Sequence, residues 1–107
     1  MRFTPDFELR DEADSLWDDA HKTLAVLPDS TDPLVRFTLG EYLRNLGGLI
    51  GDHPIPKNAD EQSAFDGDMR RYVHTLEEIL AELYQLGAPQ GPKYWLDDEG
   101  HSLREYL

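Results

Sequence analysis

Residues 43 to 56, LRNLGGLIGDHPIP, hold the side chains of this chain whose types best suit chemistry. They include an Arg-Asn pair, three glycines, and a histidine between an aspartate and a proline. Arginine binds anions and histidine exchanges protons near neutral pH, so Arg44 and His53 could serve an enzyme. The same letters also fit the end of a helix that runs into a loop, because glycine and proline are common at such boundaries. We favour the loop.

One enzyme family offers a comparison for this stretch. Arg44, Asn45 and His53 resemble the Arg-Asn…His motif of HEPN-domain ribonucleases, which are all-α proteins whose Arg and His act together on RNA at a dimer interface. Here eight residues separate the Arg from the His, which is longer than the usual interval of that family, and a double glycine intervenes. An acidic chain also disfavours RNA as a substrate. We therefore assign no catalytic residue.

Carboxylates and histidines at helical spacing are the second chemical feature. Asp14, Asp18 and His21 share one helix face, and His74 shares another with Glu78. Both faces point away from the apolar stripes of their helices, whereas a metal site in a bundle core needs ligands that converge inward. We predict no metal site and no cofactor.

Other enzyme signatures are weak or missing. Glu77, Glu78 and Glu82 resemble carboxylates of all-α NTP pyrophosphohydrolases such as the MazG-like enzymes, but the second carboxylate motif that would hold Mg²⁺ is not visible downstream. The glycines of GGLIGD lack the Lys-Ser/Thr pair of a phosphate-binding loop. The chain has no cysteine, which removes disulfides, thiol nucleophiles and cysteine-ligated metals. A metal-dependent or Arg/His-dependent enzyme is therefore our least favoured hypothesis of function.

The elements that must position these residues are helices. Apolar residues recur at three- and four-residue steps in three segments, which we place at about 5–27, 33–50 and 59–86. Thr4 with Pro5, Asp32 with Pro33, and Asn58 are the predicted starts. The following residues form the predicted apolar stripes: Leu9, Ala13, Leu16, Trp17, Ala20, Leu24 and Leu27; Val35, Leu39, Tyr42, Leu43, Leu46 and Ile50; Phe65, Met69, Tyr72, Leu76, Ile79, Leu83 and Leu86.

The predicted ends are Pro28, then Gly51 as a left-handed terminal residue, then Gly87. The apolar clump Tyr94-Trp95-Leu96, followed by Leu103, Tyr106 and Leu107, indicates a packed C-terminal segment or a short fourth helix. No alternating strand pattern is present. The sequence therefore predicts an all-α fold, a three-helix bundle in a single acidic helical domain spanning 1–107.

A second face of the middle helix is unusual for solvent. Phe37 lies there beside Glu41 and Arg44, together with Gly40, Gly47 and Gly51. Glycines at helical spacing allow close approach of another backbone, so we expect the Tyr94–Leu96 clump or a second copy of the chain to pack on this face. The functional alternative is a docking face for a partner, with Phe37 as its anchor and Arg44 at its polar rim.

Charge sets the expected partner. The chain has 22 acidic and 10 basic residues, a formal charge of −12, and no apolar run long enough to cross a bilayer. This balance disfavours direct binding to nucleic acid or to an anionic membrane, and the N-terminus lacks the apolar core of a signal peptide. We expect a cytoplasmic protein.

The leading hypothesis is a non-enzymatic binding or regulatory protein that engages a basic protein partner through acidic helix faces, in the manner of immunity proteins, antitoxins or inhibitors. The predicted partner-binding residues are Phe37, Glu41, Arg44, Asp97, Asp98 and Glu99. The alternative is a helical module that forms homo-oligomers, for example a homodimer, through the heptads of the third helix or through the glycines.

Overall fold

Three helices form the part of the chain that the computed structural model describes, residues 2–88. They are α1 (Glu8–Ala25), α2 (Pro33–Gly51) and α3 (Ala59–Gln85). No strand occurs within residues 2–88, so the predicted all-α three-helix bundle is confirmed. The predicted C-terminal helix and the Tyr94–Leu96 clump lie outside the described residues.

The helices run up, down and up. Phe7 at the start of α1 meets Phe65 near the start of α3, with ring centroids 6.0 Å apart. At the other end, Gly87 after α3 lies against Pro28 after α1. α2 runs in the opposite direction, because its Gly40 lies near Leu24 and its Gly47 lies near Trp17. Consecutive helices joined by short loops commonly pack antiparallel in this way.

The core is one cluster to which all three helices contribute. α3 supplies the largest share, and its heptad positions point inward, as the spacing predicts. Tyr72 and Leu86 are partly buried and pack against the cluster. The buried apolar residues are Ala13, Leu16, Ala20, Leu27, Leu43, Leu46, Ile50, Phe65, Met69, Val73, Leu76, Ile79, Leu80, Leu83 and Ala88.

Local hydrogen bonds explain two of the helix starts. The Asp32 carboxylate accepts from the Leu34 amide at 2.8 Å, with Pro33 in the first turn. At α3, Asn58 Oδ1 accepts from the Glu61 amide at 2.8 Å, and Glu61 accepts in return from the Lys57 amide at 3.1 Å. Both predicted caps are confirmed, since each satisfies amides that have no partner inside the helix.

Two predicted boundaries are wrong. α1 begins at Glu8 after Phe7, not at Thr4 and Pro5, and the Asp6 carboxylate accepts from the Glu8 amide at 2.8 Å. Phe7, the residue before α1, packs its ring edge-on against Phe65. Gly51 is not left-handed: within residues 2–88, only Gly87 has a positive φ, +98°. α2 instead closes at Asp52 in an ordinary conformation.

Candidate functional site: the open face of the second helix

Two glycines of α2, Gly40 and Gly47, face α1. A Cβ on Gly47 would lie 3.0 Å from Trp17 Nε1, and one on Gly40 would lie 3.7 Å from Leu24. The Trp17 indole N–H donates to the Leu43 carbonyl at 2.6 Å. The residues of the predicted second face therefore do not share one environment. Gly40 and Gly47 belong to the contact between α1 and α2, whereas Phe37 is exposed and nothing lies within 4 Å of a Cβ added at Gly51.

A different side of α2 carries exposed apolar side chains. Leu34, Phe37, Tyr42 and Leu49 are exposed by 70%, 65%, 57% and 51%. At 100° per residue these four positions fall on one side of the helix, roughly opposite the buried Leu43 and Ile50. We call Leu34, Phe37, Tyr42 and Leu49 the open face. The prediction that Tyr42 belongs to the core is wrong, because the core side of α2 is narrower than its apolar stripe.

Two concave regions flank Tyr42. On one side a pocket of about 410 Å³ is lined by Phe37, Tyr42 and Leu49 together with Glu41 and other α2 residues. On the other side a groove of about 280 Å³ runs between α2 and α3. Its lining residues are Leu39, Tyr42, Thr75, Glu78, Ile79 and Glu82. The open face thus presents four apolar side chains with Thr38, Glu41 and Asn45 among them, and Glu78 and Glu82 lie along its border with α3.

Phe37 also borders a pocket of about 420 Å³ at the start of α2, whose other lining residues include Asp29, Thr31 and Arg36. Arg36 Nη2 donates to the Pro28 carbonyl at 2.8 Å, which connects the first turn of α2 to the loop after α1. Thr31 Oγ1 is buried and has no hydrogen-bond partner. This end of the open face is therefore anchored by Arg36, while the aromatic ring of Phe37 is left uncovered.

Arg44, Asn45 and His53 come together in a neighbouring pocket of about 560 Å³ that also contains Asp52 and Tyr72. The Arg44 guanidinium is largely exposed and lies 3.8 Å from the Glu41 carboxylate. At that exposure such a pair contributes little to stability. The predicted site residues Phe37 and Glu41 thus line one pocket, and Arg44 lies in the next.

His53 serves as a link between the loop and α3. Its Nε2 lies 2.8 Å from Asp68 Oδ2, and its Nδ1 lies 3.0 Å from the Pro54 carbonyl oxygen. Asp68 also pairs with Arg71. The hydrogen bond to Asp68, followed by the one to the Pro54 carbonyl, raises the pKa of His53. The hydrogen bond from His53, supported by Arg71, lowers the pKa of Asp68. Both ring nitrogens face acceptors, so His53 is placed as a donor and has no free nitrogen to act as a base.

The carboxylate–histidine pairs on the helix surfaces are engaged in ordinary contacts. Asp18 pairs with Lys22 at 2.7 Å, His21 stacks on Trp17, and His74 pairs with Glu78 at 3.0 Å. Within residues 2–88 no group of three or more His, Asp or Glu side chains could hold a metal ion.

Sequence reasoning missed most of the open face. The predicted Asp97, Asp98 and Glu99 lie outside the described residues. Leu34, Tyr42 and Leu49 follow each other at eight- and seven-residue steps, which was a readable signal of a shared face. It was hidden because the same helix carries a second apolar stripe, and periodicity does not say which stripe the bundle covers.

Comparison of the chain with protein-family models, with curated proteins and with solved structures gives no match. In the described part of the chain, no helix combines the length and the apolar character that crossing a membrane requires.

Proposed function

We propose that this chain is a non-enzymatic binding protein whose open face on α2 takes up a basic, amphipathic helical segment of a protein partner. The exposure of Phe37 and Tyr42 together, within a strip of four apolar side chains, is the observation that carries the proposal. Single exposed apolar residues are normal on a protein surface, whereas several large ones on the same side of one helix are typical of an interaction surface.

The shape of the surface favours a helix as the ligand. The open face extends from Leu34 to Leu49, which is about 22 Å at 1.5 Å per residue. Pockets lie on both sides of Tyr42, so side chains at successive turns of a bound helix could enter them. Recognition of this kind places residues at i, i+3, i+4 and i+7 of the ligand against an apolar groove.

The charge of the surface favours a basic ligand. Glu41 borders the pocket on one side of Tyr42, and Glu78 and Glu82 border the groove on the other side. Lys or Arg residues flanking the apolar side of a ligand helix would meet these carboxylates. The chain as a whole carries a charge of −12, which would accelerate association with a basic partner and repel an acidic one.

The proposal is tested with a synthetic helical peptide of about 18 residues that has leucine on one face and lysine on the other, compared with the same peptide carrying glutamate for lysine. Isothermal titration calorimetry gives the Kd for each. We expect binding of the lysine peptide alone, and a Kd that weakens as salt is raised from about 0.05 to 0.5 M, because salt screens the charge pairs.

Matched variants locate the binding surface. Phe37→Ala should weaken the Kd of the lysine peptide by about tenfold or more, as truncation of a central aromatic anchor does. Val26→Ala should leave the Kd unchanged, since Val26 is 52% exposed but lies after α1 and lines none of the four pockets. Glu82→Gln should weaken binding more than Glu12→Gln on α1. Equal effects within either pair would contradict the assignment to the open face.

Self-association is the alternative that the same experiments separate. The apolar heptad positions of α3 pack against the core of the same chain, and Gly40 and Gly47 of α2 contact α1, so these residues are not free to contact a second copy. A homodimer would have to use the open face, and two copies would bring like-charged rims together. A dimer at micromolar concentration that dissociates in Phe37→Ala, with no peptide binding, would replace the proposal with an assembly module.

We also propose a cytoplasmic location. The absence of cysteine supports it, because proteins of oxidising compartments commonly contain disulfide bonds and this chain cannot form one. Fractionation of the source cells tests it, and recovery outside the cytoplasm would contradict it.

A further inference from the structure

The described chain ends at the same end of the bundle as the start of α2. After α3, the Ala88 amide donates to the Leu83 carbonyl at 3.1 Å, and Ala88 is buried. The preceding Gly87 lies against Pro28, which is also the residue that accepts from Arg36 of α2. Pro28 therefore joins the point where the chain leaves α3 to the first turns of α2.

The sequence that follows can reach along the open face. Residues 89–107 read PQGPKYWLDDEGHSLREYL, and their first apolar clump is Tyr94, Trp95 and Leu96. Trp95 is seven residues beyond Ala88, a distance that an extended chain spans with up to about 25 Å. The open face is about 22 Å long. Phe37 and Tyr42 lie about 6 and 14 Å along α2 from Pro33, and passing round the helix adds about 10 Å, so the clump could reach either residue without any change in α3.

We propose that residues 94–96 of the same chain cover the open face and compete there with the basic partner. This inference rests on the proposed function, since it names how that same surface is regulated. The covering segment is joined to the surface by a short tether, so its effective concentration is high, and it needs no second copy with a repelling charge. The observations that favour it are the position of Ala88, the length of the tether, and the presence in the sequence of three large apolar residues within its reach of the exposed apolar side chains.

Charge makes the cover displaceable. Asp97, Asp98 and Glu99 follow the clump directly, and the surface it would occupy is bordered by Glu41, Glu78 and Glu82. Covering therefore brings like charges together, and only the apolar contacts favour it. A basic ligand replaces repulsion by attraction at the same carboxylates. Added salt should consequently have opposite effects on the two interactions. It should strengthen the contact of residues 94–96 with the open face and weaken the binding of the basic partner.

Cross-linking tests the cover directly, because the chain has no cysteine of its own. Asn45→Cys lies on α2 between Tyr42 and Leu49, and it is combined with Asp97→Cys in the full chain. The matched control combines Asp97→Cys with Glu12→Cys on α1. We expect an intramolecular disulfide in the first pair, at least about tenfold faster than in the control, accelerated by salt and slowed by the lysine peptide. Equal rates in the two pairs would overturn the proposal.

Binding supplies the second measurement. Trp95→Ala should tighten the Kd of the lysine peptide several-fold, by removing the competitor, while Tyr106→Ala should not. One outcome would overturn only the covering of the open face by residues 94–96 and leave the proposed function standing. In that outcome the peptide binds, Trp95→Ala does not tighten its Kd, and no selective cross-link forms. A selective cross-link without peptide binding, even in Trp95→Ala, would overturn the proposed function, and the regulation with it.

Discussion

The Trp17 indole lies directly on Gly47, with its N–H donating to the Leu43 carbonyl at 2.6 Å. A Cβ on Gly47 would stand 3.0 Å from the Trp17 nitrogen and 3.2 Å from the adjoining ring carbon. Gly47 is thus a contact position between α1 and α2, where the absence of a side chain makes room for the ring. This contact also decides which side of α2 is left open.

Gly47→Ala should destabilise the fold by about 1–2 kcal/mol, because the added methyl group overpacks the Trp17 contact. Gly48→Ala is the matched control: nothing lies within 4 Å of its added Cβ, and alanine is favoured over glycine in a helix by about 0.5–1 kcal/mol. We therefore expect opposite signs at neighbouring positions. Urea unfolding followed by circular dichroism measures both, and a stabilised Gly47→Ala would contradict the close contact.

Stability should fall on both sides of an optimum pH that the link between His53 and Asp68 creates. The pKa of His53 is raised from its usual value of 6.5. The contribution of His53 to the free energy of unfolding is therefore complete below pH 6.5 and is lost as the pH rises through the raised pKa. The pKa of Asp68 is lowered from 3.8, so its contribution is complete above 3.8 and is lost as the pH falls through the lowered pKa.

His53→Gln should reduce the decline of stability as the pH rises above 6.5, since the titrating group is gone. His74→Gln, on the exposed surface of α3, is the control and should keep the decline. Urea midpoints measured across this range test the assignment. If the urea midpoints of both variants depend on pH as those of the parent chain do, His53 is not the group that causes the decline.

Gly87→Ala should cost about 1 kcal/mol or more, because φ is +98° and the Pro28 ring lies 3.3 Å from the added Cβ. Gly67→Ala in the middle of α3 meets nothing within 4 Å and should stabilise the helix by about 0.5–1 kcal/mol. Thermal unfolding of the two variants against the parent measures the difference. Equal shifts would mean that the turn after α3 tolerates a side chain.

Asn58→Ala should destabilise the protein by about 1 kcal/mol through loss of the cap on α3. Thr4→Ala should change stability by less than about 0.5 kcal/mol, since Thr4 precedes the start of α1 and is exposed. The comparison separates a cap that forms from one that only the sequence suggested. Chemical denaturation suffices, and a larger loss at Thr4 would restore the earlier start of α1.

The sequence by itself determined the three helices and two of their starts. Periodicity located α2 and α3 within a residue or so, and Asp32 and Asn58 were readable as caps. These features depend on residues no more than four positions apart, so a linear pattern contains them. The end of α3 at Gly87 is likewise determined by residues close to it in sequence.

Only the tertiary structure decided which sides of the helices face one another. α2 has apolar residues on more than one side, and the approach of Trp17 to Gly47 selects the side that α1 covers. Tyr42 was expected inside and lies outside for that reason, while His53 gained Asp68 as a partner fifteen residues away. Such contacts join separate elements, and their energies depend on how the helices pack, which no spacing along the chain records.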